Sequence, residues 1–279
     1  HRDLHSFPTR RSSDLSIILW ILSFLLMAGV AVYQRLTGPT YPISGTLNTK
    51  YENIDYKLPR THGGDGGEII RIKVSKEFQG EIVYKRFKSN DDWSRKNMEY
   101  KDGYLLAEIP YQPPAGKVIY EIVLKDRDGK KYILNDEPVI IRFKGDVPDY
   151  FIIPHIIFIF LAMWFSTRTG FEVIFKGNNI YKLTIWTLML LGFGGMILGP
   201  IIQEYAFGAL WTGWPFGHDL TDNKTLVAFI MWIVAFWKIN KNRDNTIWVL
   251  IASIILFVIF LIPHSVLGSE IDYTKLPQN

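Results

Sequence analysis

The sequence has no cysteine among its 279 residues. That absence excludes a disulfide-stapled secreted scaffold, covalently attached c-type haem and thiol catalysis. Charge is scarce in one half only: residues 150–279 carry 8 Lys/Arg and 7 Asp/Glu, whereas residues 35–149 carry 20 and 18. The partition rules out both a single water-soluble domain and a disordered chain. A formal net charge of +4 gives no reason to expect a nucleic-acid partner. No Gly-x-Ser-x-Gly, His-Glu-x-x-His or phosphate-loop motif is present. No ionisable residue interrupts the apolar runs, which argues against a pump or an ion-coupled transporter.

What is present is length of apolar chain. Residues 16–34 (SIILWILSFLLMAGVAVYQ) form an uncharged run of 19 residues, enough to cross a bilayer as a helix. It reads as an uncleaved anchor, because AGVAVYQR is a poor signal-peptidase site. Four further runs cover residues 150–167, 183–203, 225–237 and 245–269. The 13 residues of 225–237 rise only about 20 Å, so Lys224 and Lys238 must snorkel or the helix must recruit its flanks. Five spans result. The loops 168–182 and 238–244 hold six Lys/Arg, against Lys224 and Lys275 alone in 204–224 and 270–279. That asymmetry places the first pair in the cytoplasm with the N-terminus, and the rest outside.

Between the first two spans the period changes. The runs GTLNTKYENIDYKL, EIIRIKVS, GEIVYKRFK, YLLAEIP, KVIYEIVLKD, KKYIL and PVIIRFK are short and β-branched or aromatic. Turn-formers such as HGGDGG, KDG, QPPAG and DRDG separate them. About seven strands in about 110 residues predict an antiparallel β-sandwich. The stretch IPYQPPAGKVIYEIVLKDRDG (109–129) resembles immunoglobulin-like and fibronectin-type-III-like modules, which implies a fold and no activity. Residues 150–279 are similar to uncharacterised bacterial inner-membrane proteins. Residues 1–15, HRDLHSFPTRRSSDL, resemble the codon-for-codon translation of a sequencing-library adapter. They are set aside as a cloning or assembly scar, with the true start expected elsewhere. Without them the charge is +3, and four histidines remain: His62, His155, His218 and His264.

The expected fold is therefore an α+β membrane protein. An anchor helix (16–34) precedes an extracytoplasmic Ig-like sandwich (35–149), a four-helix transmembrane bundle (150–269) and a short extracytoplasmic tail (270–279). All four histidines fall on the outer face under this topology. His155 and His264 flank the second and fifth spans beside Pro154 and Pro263, and His218 sits next to Asp219 in QEYAFGALWTGWPFGHDLTDNK. Two chemistries follow from imidazoles at one depth. His155 and His264 would be the axial ligands of a b-type haem, or His155, His218, Asp219 and His264 would ligate a transition metal. Histidine and proline at span ends are equally ordinary boundary residues.

Three smaller features complete the reading. The loop 203–224 reads either as a lid over an outer pocket or as an interfacial segment. THGGDGGE (61–68) reads as a strand connection, with calcium at Asp65 and Glu68 as the alternative. Gly195-x-x-x-Gly199 reads as a close-packing helix face. The function that follows is a non-catalytic subunit or assembly factor of a cell-envelope complex in the bacterial inner membrane. Its partners would be the bilayer and an envelope protein held by the sandwich. The alternative is a haem- or metal-binding redox protein.

Overall fold

A computed structural model describes residues 10–264, 266 and 268–275. The chain forms two compact units: residues 1–37, 148–202 and 213–266 make the first, and residues 38–147, 203–212 and 267–279 the second.

The second unit is built from eleven strands. In chain order they are β1 (Ile43–Asn48), β2 (Asn53–Leu58), β3 (Thr61–Gly63), β4 (Glu68–Lys73), β5 (Gln79–Arg86), β6 (Ser94–Asn97), β7 (Glu99–Lys101), β8 (Tyr104–Ile109), β9 (Lys117–Lys125), β10 (Lys131–Ile133) and β11 (Val139–Lys144). One sheet runs β3-β11-β9-β5-β6 with β10 appended to β9; another runs β4-β8-β7; β1 and β2 form a hairpin. Pairing is antiparallel except between β3 and β11. Strict alternation explains the packing. Along β9, Val118, Tyr120, Ile122 and Leu124 point inward while Lys117, Ile119, Glu121 and Val123 are only partly covered. They share one core with Ile70 and Ile72 of β4, Ile82 of β5, Leu105 and Ile109 of β8 and Ile141 of β11. Both larger sheets thus bury their apolar faces in the same cluster. Asp102 and Gly103 both adopt positive φ between β7 and β8, the backbone a two-residue hairpin turn requires.

Three of these strands escape the apolar pattern. β6 and β7 carry no buried residue, and β3 is three residues held by β11. β6 and β7 are nearly continuous: 94–97 pair with β5 and 99–101 with β8, and buried Met98 marks the change of sheet.

The first unit is helical. Helix α1 (Arg10–Thr37) includes residues 10–15 of the adapter-like segment; residues 1–9 of that segment lie outside the described residues. Then come α2 (Asp149–Ile174), α3 (Ile180–Leu191), a π-helical stretch at Gly192–Leu198, α4 (Gly199–Phe207), α5 (Leu220–Lys241) and α6 (Ile247–Leu261). Among the described residues four helices are long and apolar enough to cross a membrane: Asp14–Thr37, Asp149–Ile174, Ile180–Phe207 and Leu220–Lys241. α6 is apolar but only 15 residues long.

Of two expectations about charge, the recruitment of flanks around the 13-residue run is met and the loop placement of Arg168 needs correction. The 13-residue run is part of a 22-residue helix that takes in both lysines, and Lys224 is buried rather than snorkelling. Arg168, assigned to a loop, lies on α2 and is buried there with Glu172. The helices therefore do carry ionisable residues. An argument against charge-moving chemistry cannot rest on their absence.

Packing in this unit uses small residues. Ala228, Trp232, Ala235 and Ile239 form the inner stripe of α5 at helical spacing, facing Ala162, Ala252 and Leu256. A Cβ on Gly194 would lie 2.9 Å from the Phe158 Cβ, and one on Gly195 2.8 Å from the Thr225 Cγ2. Gly199, in contrast, has nothing nearer than 3.8 Å. The close-approach pair is Gly194–Gly195, and the Gly195/Gly199 spacing is not what brings the helices together.

Candidate functional site

Alternating helix directions gather two polar groups at opposite ends of the helical unit. One contains the predicted histidines. His155 lies in the second turn of α2, with its Nδ1 2.8 Å from the Gly194 carbonyl oxygen. That carbonyl also accepts from the Gly199 amide, the wide π-type bond. A carbonyl only accepts, so Nδ1 of His155 carries the proton and Nε2 keeps its lone pair.

Lys224 enters from the first turns of α5. Its Nζ donates to the Ile262 carbonyl at 2.8 Å and lies 3.1 Å from His264 Nδ1. The Ile262 carbonyl also accepts from Gln34 Nε2 at 3.0 Å. It belongs to the C-terminal end of α6, where carbonyls lack helical partners and a cation is favoured. An ammonium has only donors, so with Lys224 charged His264 Nδ1 would accept from it.

The acidic residues have structural duties. Asp219 caps α5 by accepting from the Thr221 amide at 2.8 Å. Asp222 accepts from the Gly213 amide at 3.0 Å, and Asn223 from the Trp214 amide at 2.6 Å. These bonds fasten residues 213–214 to the start of α5. His218 is exposed.

Measured against the predicted ligand sets, the arrangement gives the metal reading no support. Among the described residues no three His, Asp or Glu side chains are grouped to hold a metal ion. His155 and His264 each have Nδ1 engaged, with the Gly194 carbonyl and with Lys224 Nζ respectively. The calcium alternative meets a similar obstacle, since Glu68 already pairs with His62 Nδ1 at 2.6 Å.

Lys224 is the member that sequence reasoning missed. Its signal was the short run itself: a 13-residue apolar stretch must extend into its flanks, which brings a lysine onto the helix. The opposite end holds Arg168 and Glu172, 2.6 Å apart, with Glu172 also accepting from the Asn179 amide at 2.9 Å.

In the β unit, the feature with binding potential is the β6–β7 edge. Both strands end their sheets, every residue of both is exposed, and Trp93, Tyr100 and Tyr104 present large exposed rings along it. Comparison with protein-family models, curated proteins and solved structures yields no match to this chain.

Proposed function

We propose that this is a five-span protein of the bacterial inner membrane with an Ig-like domain outside, acting as a non-catalytic binding subunit or assembly factor of an envelope complex. One observation carries the topology: the compact β unit is assembled from three separate stretches, 38–147, 203–212 and 267–279. Segments of one folded unit share one side of a bilayer. The chain therefore leaves that side after 147 and is back at 203, and leaves after 212 and is back at 267. Each excursion must cross an even number of times. α6 then has to span despite its 15 residues, which rise about 23 Å and require local thinning or help from its flanks. The surplus of Lys and Arg in 168–182 and 238–244 supports placing the other side in the cytoplasm.

The Ig-like reading draws on strand order. β11-β9-β5 in one sheet facing β4-β8 in the other reproduces the G-F-C against B-E arrangement of that sandwich, and β3 adds in parallel to β11. The binding role draws on the β6–β7 edge, because an unpaired edge strand offers main-chain donors and acceptors for strand addition.

The absence of cysteine makes the test direct. In intact spheroplasts a membrane-impermeant maleimide should label Lys275→Cys, and should label Lys176→Cys only after permeabilisation. The reverse pattern would overturn the topology. Arg95→Cys, on the β6 edge, should form a discrete crosslinked adduct with a partner, and Lys57→Cys should not. No adduct, or equal adducts from both, would overturn the edge as the binding surface.

A further inference from the structure

A cleft of about 250 Å³ opens between α1, α2 and α3 at the Arg168 end of the helical unit, lined by Ser16, Trp20, Arg168, Asn179, Lys182 and Trp186 among others. Arg168 lies within it with only 2% of its surface exposed. Its guanidinium is incompletely used. Nη1 lies 2.6 Å from Glu172 Oε2 and Nη2 donates to Ser16 Oγ at 3.3 Å, while Nε and Nη1 are buried with no hydrogen bond among the described residues. The Trp20 ring sits 5.4 Å from the guanidinium carbon. Lys182 is exposed and lines the same cleft, whereas Glu172 does not line it. Among the described residues, a buried Arg donor without a hydrogen bond, a second cation beside it and no carboxylate in the lining make a site for an oxyanion.

We propose that this cleft binds a phosphate group, supplied by the headgroup of an anionic phospholipid. The guanidinium group suits phosphate oxygens, and Lys182 adds a point charge. Trp186, Met189 and Phe193 are exposed at successive spacings of three and four along α3 and its π-helical continuation. They form one apolar stripe leading away from the cleft, on which an acyl chain can lie. Tryptophan and basic residues at one level are also the ordinary lining of a headgroup site. The lipid source rests on the membrane-spanning reading, but not on which face is cytoplasmic.

The test uses the full chain in detergent doped with dioleoyl phosphatidylglycerol or dioleoyl phosphatidylcholine, with bound lipid counted by native mass spectrometry. Phosphatidylglycerol should be retained preferentially. Lys182→Gln should lower that retention about fivefold, the effect of one basic side chain at a headgroup. Arg168→Gln alone would strand the Glu172 carboxylate, so the paired change Arg168→Gln with Glu172→Gln serves instead and should also abolish the preference. Lys241→Gln, at the same end but outside the cleft, should leave it unchanged. Glycerol 1-phosphate separates the sources: failure to displace the lipid assigns the site to a lipid headgroup, and displacement assigns it to soluble phosphate esters, either result keeping the phosphate site. Equal retention of the two lipids, no effect of Lys182→Gln, or an equal loss with Lys241→Gln would overturn it. Thiol labelling tests the spanning topology independently, so the two failures are distinguishable.

Discussion

The two units of this chain differ in how much their cores rely on small side chains. Both bury large apolar groups, Trp232 and Leu256 among the helices included, but only the helical one adds a set of Gly and Ala contacts. Inside the β unit the fully covered residues are large: Ile54, Leu58, Ile70, Ile72, Ile82, Ile109 and Tyr120. Around them the strands turn Lys, Arg, Asp and Glu outward. Inside the helical unit Ala162, Gly170, Gly194, Ala228, Ala235 and Ala252 provide many of the contacts, and large apolar groups such as Ile153, Ile157, Phe160, Ile230 and Val258 point away. The difference fits a unit whose helices are long and apolar enough to cross a membrane. Water expels big apolar side chains, so they form the β core. Lipid does not, and helices in it associate by close approach of small residues and by polar bonds such as Ser253 Oγ to the Ser166 carbonyl at 2.8 Å.

The same truncation applied to both units breaks or sharpens that contrast most strongly. Ile82→Ala, in the centre of the β core and fully buried, should destabilise that unit by about 2–5 kcal/mol through lost transfer energy and a residual cavity. Ile157→Ala, half exposed on α2, should fall within about 0.5 kcal/mol of the parent. Thermal unfolding in detergent, followed separately by the strand and helix signals in circular dichroism, reads both. Comparable losses would show that the helical unit has a water-type core after all.

The converse change, enlarging a residue, should hurt the helical unit by a smaller amount. Gly194→Ala places its methyl 2.9 Å from the Phe158 Cβ and pushes α2 from the π-helical stretch, at a cost of about 1–3 kcal/mol. Gly199→Ala meets only ordinary contact distances and should be neutral or slightly stabilising, since alanine is the better helix former. Melting temperatures of the two variants in one detergent settle it. Equal effects would mean that helix propensity, and not approach distance, decides these positions.

How legible this was in the sequence differs between the units for the same physical reason. Alternation reports burial directly, so strands such as β4, β5, β8, β9 and β11 follow from their runs. The GTLNTKYENIDYKL run covers β2 and all of β1 but its first two residues, and β6 (Ser94–Asn97) leaves no trace because an exposed edge needs no apolar residue. An apolar run reports only contact with lipid or core. Helix ends that close on themselves through buried charge look like loops, which is how Arg168 and Glu172 were misplaced and Lys224 was read as a flank. The proximity of His155 and His264 to one end of the bundle was readable from alternating spans. The contact between Lys224 and His264 was not, because it depends on Lys224 arriving from a third helix.

The smallest effect concerns how the tail joins the β unit, where charge rather than apolar burial makes the contact. Glu270 accepts from both Lys88 and Lys117, the Ile271 amide donates to the Ala115 carbonyl, and Tyr273 donates to Gln112 Oε1 at 2.9 Å. Burial opposes ionisation of Glu270, but the hydrogen bonds from Lys117 and Lys88 outweigh it and hold its pKa below the ordinary carboxylate value. A depressed carboxylate stabilises the docked tail when ionised. The contribution is therefore complete above the ordinary carboxylate range and is lost as pH falls through the lowered value. Hydrogen exchange at the Ile271 amide should accelerate on acidification in that window, after correction for the intrinsic rate, while amides of β9 stay protected. Glu270→Gln should show fast exchange already at neutral pH and no further acid step. Slow exchange in Glu270→Gln at every pH would assign the docking to apolar contact, and an acid step that survives there would assign it to a second carboxylate such as Asp272.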